Sequence, residues 1–240
     1  MTDQQHENTQ DSSSSDRSST SKIDFSNAID KKTPICIIGL GLIGGSVAYD
    51  LSAQGFNLVG VDADAAARTR AERSRLFKAI YENLEHVSLE RASLRQRRPK
   101  VALTYVIATP GDVAVTLIRD IEKRSAGNEK DVDTPTFVID LASTKSRVVE
   151  AMARLPEHIG AIGGHPMAGK TENGFAAAQA DLFRDKTFVL CPVKNVHTRV
   201  VNPTCQVAGQ AFVELIGASG LTMDADEHDH CAAYISHLPH

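Results

Sequence analysis

The run Ile35-Cys36-Ile37-Ile38-Gly39-Leu40-Gly41-Leu42-Ile43-Gly44 constrains this chain more than any other segment. Four apolar residues between Pro34 and Gly39 suit a strand buried on both faces of a parallel sheet. The glycines keep the G-x-G-x-x-G spacing and lead into residues 46–53, where apolar side chains recur at helical intervals. A second strand, Asn57-Leu58-Val59-Gly60-Val61, ends at Asp62. A unit of this kind binds dinucleotides. Gly39 permits the tight turn, Gly41 lets the backbone approach a pyrophosphate, and Gly44 lets helix and strand pack closely. The N–H groups at the start of the helix, Leu42 and Ile43 among them, together with the helix dipole, favour the phosphates. A glycine-rich turn without a ligand is the bland alternative, and the strand–turn–helix–strand context argues against it.

Asp62 follows Gly44 by 18 positions, close to the offset of about 20 at which an acidic residue meets the adenosine ribose. A carboxylate there accepts hydrogen bonds from the ribose hydroxyls and repels a 2′-phosphate. NAD is therefore expected over NADP, unless Arg68 or Arg70 folds back to meet a phosphate. Thr109-Pro110 closes the next strand on the same edge of the sheet, where ligands of open α/β sheets bind.

The rest of the pattern continues this architecture. Strands are expected over 101–108, 136–140, 161–163, 187–190 and 221–223. Helices are expected from residue 65 and over 113–123, 146–155 and 203–216. The fold class is α/β, a Rossmann-type doubly wound parallel sheet over 34–222, with 223–240 as the first helix of an incomplete all-α domain. Residues 1–33 are serine-rich, with few aliphatics before Ile23, and read as a disordered tail, either passively solvated or phosphorylated. Cys36, Cys191, Cys205 and Cys231 form no CxxC pair, so a disulfide framework is not expected. A net charge of −4 speaks against nucleic acid as the main partner. The basic stretch Arg91, Arg95, Arg97, Arg98, Lys100 has no interleaved aromatics and reads as solvated connection. No run approaches the roughly 18 apolar residues of a membrane helix, and no secretory signal stands at the N-terminus. A cytoplasmic protein is expected.

Two polar segments follow strands on the ligand-binding edge. In Asp140-Leu141-Ala142-Ser143-Thr144-Lys145, Ser143 or Thr144 suits a helix N-cap. In Gly163-Gly164-His165-Pro166-Met167-Ala168-Gly169, the histidine sits between glycines and a proline, as in a shaped loop. An imidazole there can take up or share a proton near neutral pH. Asp226, His228, Asp229, His230 and Cys231 have the composition of a metal cluster. On a helix only His228 and Cys231 of the potential nitrogen and sulfur ligands share a face, no CxxC or HxxxH partner stands nearby, and no metal is expected.

These segments, with Asp181-Leu182-Phe183 and the terminal Ser236-His237-Leu238-Pro239-His240, stand in the order found in prephenate/arogenate dehydrogenases, and from Pro34 onward the chain resembles that family. The resemblance implies NAD-dependent oxidative decarboxylation of prephenate to 4-hydroxyphenylpyruvate in tyrosine biosynthesis. It implies His165 as the catalytic histidine, Ser143 as a serine orienting the substrate hydroxyl and that histidine, and His237 near the substrate. It also implies a homodimer formed through a helical domain that follows the Ser-His-Leu-Pro-His segment and supplies an arginine for the substrate carboxylates. Two departures stand out. Thr171 occupies a place where many members carry glutamate, and the chain stops at His240. Arogenate as the substrate, an imine or β-hydroxyacid reductase, and a truncated NAD-binding module of low turnover are the competing readings.

Overall fold

The computed structural model describes residues 23–32, 34–87, 103–126 and 136–237, with the backbone alone for 126 and 235–237. Eight strands form one sheet: β1 (Ile35–Ile38), β2 (Leu58–Val61), β3 (Ala79–Tyr81), β4 (Leu103–Ile107), β5 (Thr136–Asp140), β6 (Ile159–Pro166), β7 (Thr187–Pro192) and β8 (Ser219–Thr222). Their order is β3-β2-β1-β4-β5-β6-β7-β8. The main helices are α1 (Leu42–Ala53), α2 (Ala65–Ser74), α3 (Gly111–Ala126), α4 (Ser146–Met152), α5 (Pro203–Leu215) and α6 (Ala225–His237).

The continuous apolar runs are explained by two-sided burial. Ile35 and Ile37 join Val47, Leu51 and Phe212 of α1 and α5 in one core. Cys36 and Ile38 turn the other way, to Val115 and Ile118 of α3 and Val148 and Met152 of α4. Helices thus cover both faces of a doubly wound sheet, and the reversal of strand order beside β1 opens a crevice at the carboxyl edge. Gly44 makes the turn possible, since a Cβ there would lie 2.0 Å from the Gly39 carbonyl oxygen.

The structure corrects four expectations. The sheet is parallel from β3 through to β6, but β7 runs antiparallel to β6, and β8 is parallel to β7. Only a loop and a 3-10 turn at Phe175–Ala177 separate β6 from β7. An antiparallel neighbour needs no crossover helix. In consequence β6 runs on to Pro166, and His165 lies on a strand opposite Val189, not in a loop. β3, a short partly buried strand, has no counterpart in the sequence reading.

The fourth correction is at the amino end. Residues 1–22 and 33 lie outside the described residues, but 23–32 pack against the domain. Phe25 is 2% exposed and meets Phe137. Its ring fills the place where a Gly160 side chain would stand. Its N–H donates to Thr204 Oγ1 at 2.9 Å, Asn202 Nδ2 donates to the Ile23 carbonyl, and Thr104 Oγ1 to that of Ala28. One aromatic ring anchors a polar segment that composition marks as solvated. No helix among the described residues is long and apolar enough to cross a membrane.

Candidate active site

A cleft of about 500 Å³ opens at the carboxyl edge of the sheet, lined by Gly39, Gly41, Asp62, Thr109, Pro110 and Val113 among others. α1 starts here with Gly41 as N-cap and no side-chain cap, so its leading N–H groups have no capping side chain. A Cβ built on Gly41 would meet nothing within 4 Å, so open space lies where a phosphate would approach the backbone. Thr109 Oγ1 is buried with no partner among the described residues. An uncapped helix start, open space beside it and an orphaned hydroxyl fit a dinucleotide.

Of the residues expected to hold the cofactor, Gly39, Gly41, Asp62, Thr109 and Pro110 line the cleft. Leu42 and Ile43 turn their side chains to the core, leaving only their backbone for a ligand, and Gly44 serves packing. The Asp62 carboxylate accepts the N–H of Leu40 at 2.7 Å and of Asp64 at 2.8 Å, which fixes it at the lip of the glycine turn. Each oxygen keeps a further lone pair for a ribose hydroxyl. The Arg68 guanidinium rests on the carbonyls of Asp62 and Ala63 at 2.8 Å each.

His165 stands two strands away, near the end of β6. Its Nδ1 lies 2.8 Å from His228 Nε2, and His228 Nδ1 lies 2.8 Å from Asp229 Oδ1. The tautomers follow from the bonds. An ionised Asp229 only accepts, so His228 Nδ1 carries a proton and a neutral His228 offers Nε2 as acceptor. His165 Nδ1 is then the donor, which leaves His165 Nε2 as a bare lone pair with no partner among the described residues. Asp229 also accepts the N–H groups of Lys145 at 2.6 Å and Ser146 at 2.9 Å. Burial would push its carboxyl up, but the Ser146 N–H and hydroxyl, the Lys145 N–H and the His228 ring hold it below the ordinary value. The relay is thereby tied to the N-terminus of α4.

That arrangement replaces the expected N-cap. Lys145 is the N-cap residue and has no side-chain cap bond, because Asp229 from α6 fills that role. Thr144 stands close to Gly111 at the start of α3, where a Gly111 Cβ would lie 2.6 Å from the Thr144 hydroxyl. Ser143 is exposed after β5 and makes no hydrogen bond to His165 among the described residues; His228 holds that ring. His237 ends α6, and its side chain lies outside the described residues, as do Leu238, Pro239 and His240. His228 spends both ring nitrogens within the relay.

Burial, then the neighbouring His228 and the Lys145 ammonium, lower the His165 pKa to about 4, against a smaller opposing effect of Asp229. The folded value lies below the unfolded value of 6.5. As pH falls the unfolded chain takes the proton first, so this contribution to stability is intact above about pH 6.5 and lost progressively towards about pH 4. After allowance for partial exposure, about 1 kcal/mol should disappear between about pH 7 and about pH 5. Urea unfolding at both pH values, with and without His165→Asn, checks this: the variant should lose less on acidification.

A family pattern described as "Prephenate dehydrogenase, nucleotide-binding domain" matches residues 47–215. The chain belongs to the prephenate dehydrogenase family. It is similar to the prephenate dehydrogenase of Bacillus subtilis, 31% identical over 212 residues, covering 87% of this chain and 51% of that protein. It is 32% identical over 210 residues to the cyclohexadienyl dehydrogenase of Zymomonas mobilis, covering 86% of this chain and 63% of that one. The fold matches a crystal structure of prephenate dehydrogenase from Aquifex aeolicus in complex with hydroxyphenyl propionate and NAD+, with a TM-score of 0.63, 19% identity, and 83% and 62% of the two chains covered. The chain spans between about half and two thirds of the length of these curated relatives.

In this member of the prephenate dehydrogenase family, Asp181-Leu182-Phe183 is a packing element. Phe183 is fully buried, and the Asp181 N–H donates to Asp50 on α1 at 2.9 Å. Sequence reasoning missed His228, Asp229 and Lys145 as site residues. The acidic, histidine-bearing stretch before Ser236 was the available signal, but it invites a metal reading, and its contact with His165 spans 63 positions.

Proposed function

We propose that this chain is the nucleotide-binding part of an NAD-dependent dehydrogenase that converts prephenate to 4-hydroxyphenylpyruvate and CO2 in tyrosine biosynthesis. The observation that carries this reading is the His165 Nε2, without a partner among the described residues and held by an Asp–His relay on the carboxyl edge that also bears the dinucleotide cleft. NAD, held by the glycine turn, Asp62 and Thr109, would supply the acceptor for the hydride of the carbinol carbon. His165 Nε2 accepts the hydrogen bond of the ring hydroxyl, and His228 and Asp229 fix the ring and disperse positive charge developing on it. Loss of the ring carboxylate as CO2 aromatises the ring and drives the reaction. Ser143 stands at the adjacent strand end as a second group for the hydroxyl, and His237 is assigned to the substrate side. Residues 34–222 form the dinucleotide-binding domain, and 223–240 begin the helical domain through which the family dimerises.

NADH formation with prephenate, arogenate and simple 2-hydroxyacids tests the reading. Prephenate or arogenate should give NADH and the hydroxyacids none; the reverse would assign the chain to another reductase class.

Cofactor choice gives a separate prediction. With Asp62 at the ribose position, NAD should bind about tenfold or more tightly than NADP, since a 2′-phosphate would meet a carboxylate. Calorimetric titration of both decides it. Equal or tighter NADP binding would mean that Arg68, already at the Asp62 and Ala63 carbonyls, swings to the phosphate.

A further inference from the structure

Beside the strand that carries His165 lies a charged side-chain pair that the relay does not use; of its two residues only the Lys145 backbone N–H bonds to the relay. The Lys145 and Asp140 side chains are both 0% exposed and form an ion pair. Lys145 Nζ also donates to the Gly164 carbonyl at 2.6 Å. Asp140 accepts the Gly164 N–H at 3.2 Å on one oxygen and the Ala142 N–H at 3.0 Å on the other. Gly164 is thus gripped on both sides, its N–H by the carboxylate and its carbonyl by the ammonium, and the next residue is His165. The approach is close: a Cβ on Gly164 would lie 2.6 Å from the Asp140 carbonyl oxygen and 2.8 Å from the Phe188 ring.

A buried ion pair is a poor device for stability alone. Desolvating two charges costs about as much as their attraction returns, and apolar residues of similar volume often serve as well. This pair sits beside His165, whose Nε2 has no partner among the described residues. The charged and titratable groups facing that ring are Lys145, with Asp140 behind it, from the β5–α4 side, and His228 and Asp229 from α6.

We propose that the Lys145–Asp140 pair is a positioning device for His165: it locks the Gly164 peptide from both sides, fixes the strand end that carries the imidazole, and buries a cation beside that segment. The pair acts through His165, so its catalytic value rests on the function proposed above. Its physical effect does not. Asp229 attracts a proton to the relay from the other side, but the His228 ring stands between it and His165. Lys145 weighs against that attraction and keeps His165 an acceptor.

The test is a pH titration of the His165 ring by NMR in the isotope-labelled chain, with the signal assigned by its loss in His165→Asn. Lys145→Met removes the cation. The double variant Asp140→Asn/Lys145→Met removes both charges and leaves no unpaired buried ion, so it is the arm that folds if the single variant does not. In the unmodified chain the ring should stay neutral down to about pH 5, and in each folded variant its midpoint should rise, by roughly half a pH unit in Lys145→Met and by less in the double variant, where the opposing carboxylate is removed as well. An ordinary midpoint near 6.5 in the unmodified chain, or an unmoved midpoint in a folded variant, overturns the proposal. Looser packing would also raise the midpoint, because burial is the largest cause of its depression, so a variant counts as folded only if its thermal melt and the amide signals around His165 match those of the unmodified chain. Because the readout needs no turnover, a chain that titrates as expected but oxidises no prephenate fails only the functional reading. An active enzyme with an unmoved midpoint fails only the positioning role.

Discussion

Replacing His165 with asparagine is expected to lower prephenate turnover by about a hundredfold or more, the usual scale for a positioned acid–base group. The assay uses the chain joined to the proposed helical domain, taken from a longer relative. The amide can still donate towards His228, but it offers the substrate hydroxyl no basic nitrogen. His165 is not among the residues lining the dinucleotide cleft, so NAD affinity should barely change. That pattern, kcat reduced with cofactor binding intact, separates loss of a proton acceptor from loss of the fold. Turnover that survives the substitution would leave the relay without a chemical role.

Gly41→Val should abolish measurable NAD binding while the domain stays folded. Both halves follow from the same geometry. Gly41 has φ −89°, which an L-residue adopts without strain, and a Cβ there touches no protein atom within 4 Å. The side chain therefore projects into the open space proposed for the pyrophosphate, which the backbone would approach closely. Gly44 is the contrasting control. A Cβ there collides with the Gly39 carbonyl oxygen, so Gly44→Val should damage the fold itself. Calorimetric titration with NAD and a thermal melt of each variant read both effects. Unchanged NAD affinity in folded Gly41→Val would move the phosphate site elsewhere.

The sequence was informative where a pattern is local. The apolar run of β1, the glycine spacing and Asp62 announce the dinucleotide crevice because strand, turn and helix lie within some thirty residues and each glycine has one steric reason to be there. The central strands β4 and β5 were legible for the same reason, as short apolar runs buried on both sides. What escaped depends on contacts between distant segments. The antiparallel return of β7 puts His165 on a strand, and nothing in Thr187–Pro192 encodes its direction. The burial of Phe25 depends on a gap above Gly160, more than a hundred positions away. Asp229 caps α4 from α6, so a reading that looked for a local cap found Ser143 or Thr144 instead. His165 was recognisable as a candidate from its glycine and proline neighbours; the partners that determine its tautomer were not.

The most direct test of the central claim is product stoichiometry. The chain joined to a helical domain taken from a longer relative is supplied with prephenate and NAD, and NADH, CO2 and 4-hydroxyphenylpyruvate are measured together, beside the His165→Asn variant. Equal amounts of all three products, falling together by about a hundredfold or more in the variant, are predicted. NADH from a simple 2-hydroxyacid with none from prephenate or arogenate, or equal product yields with and without His165, would contradict the account.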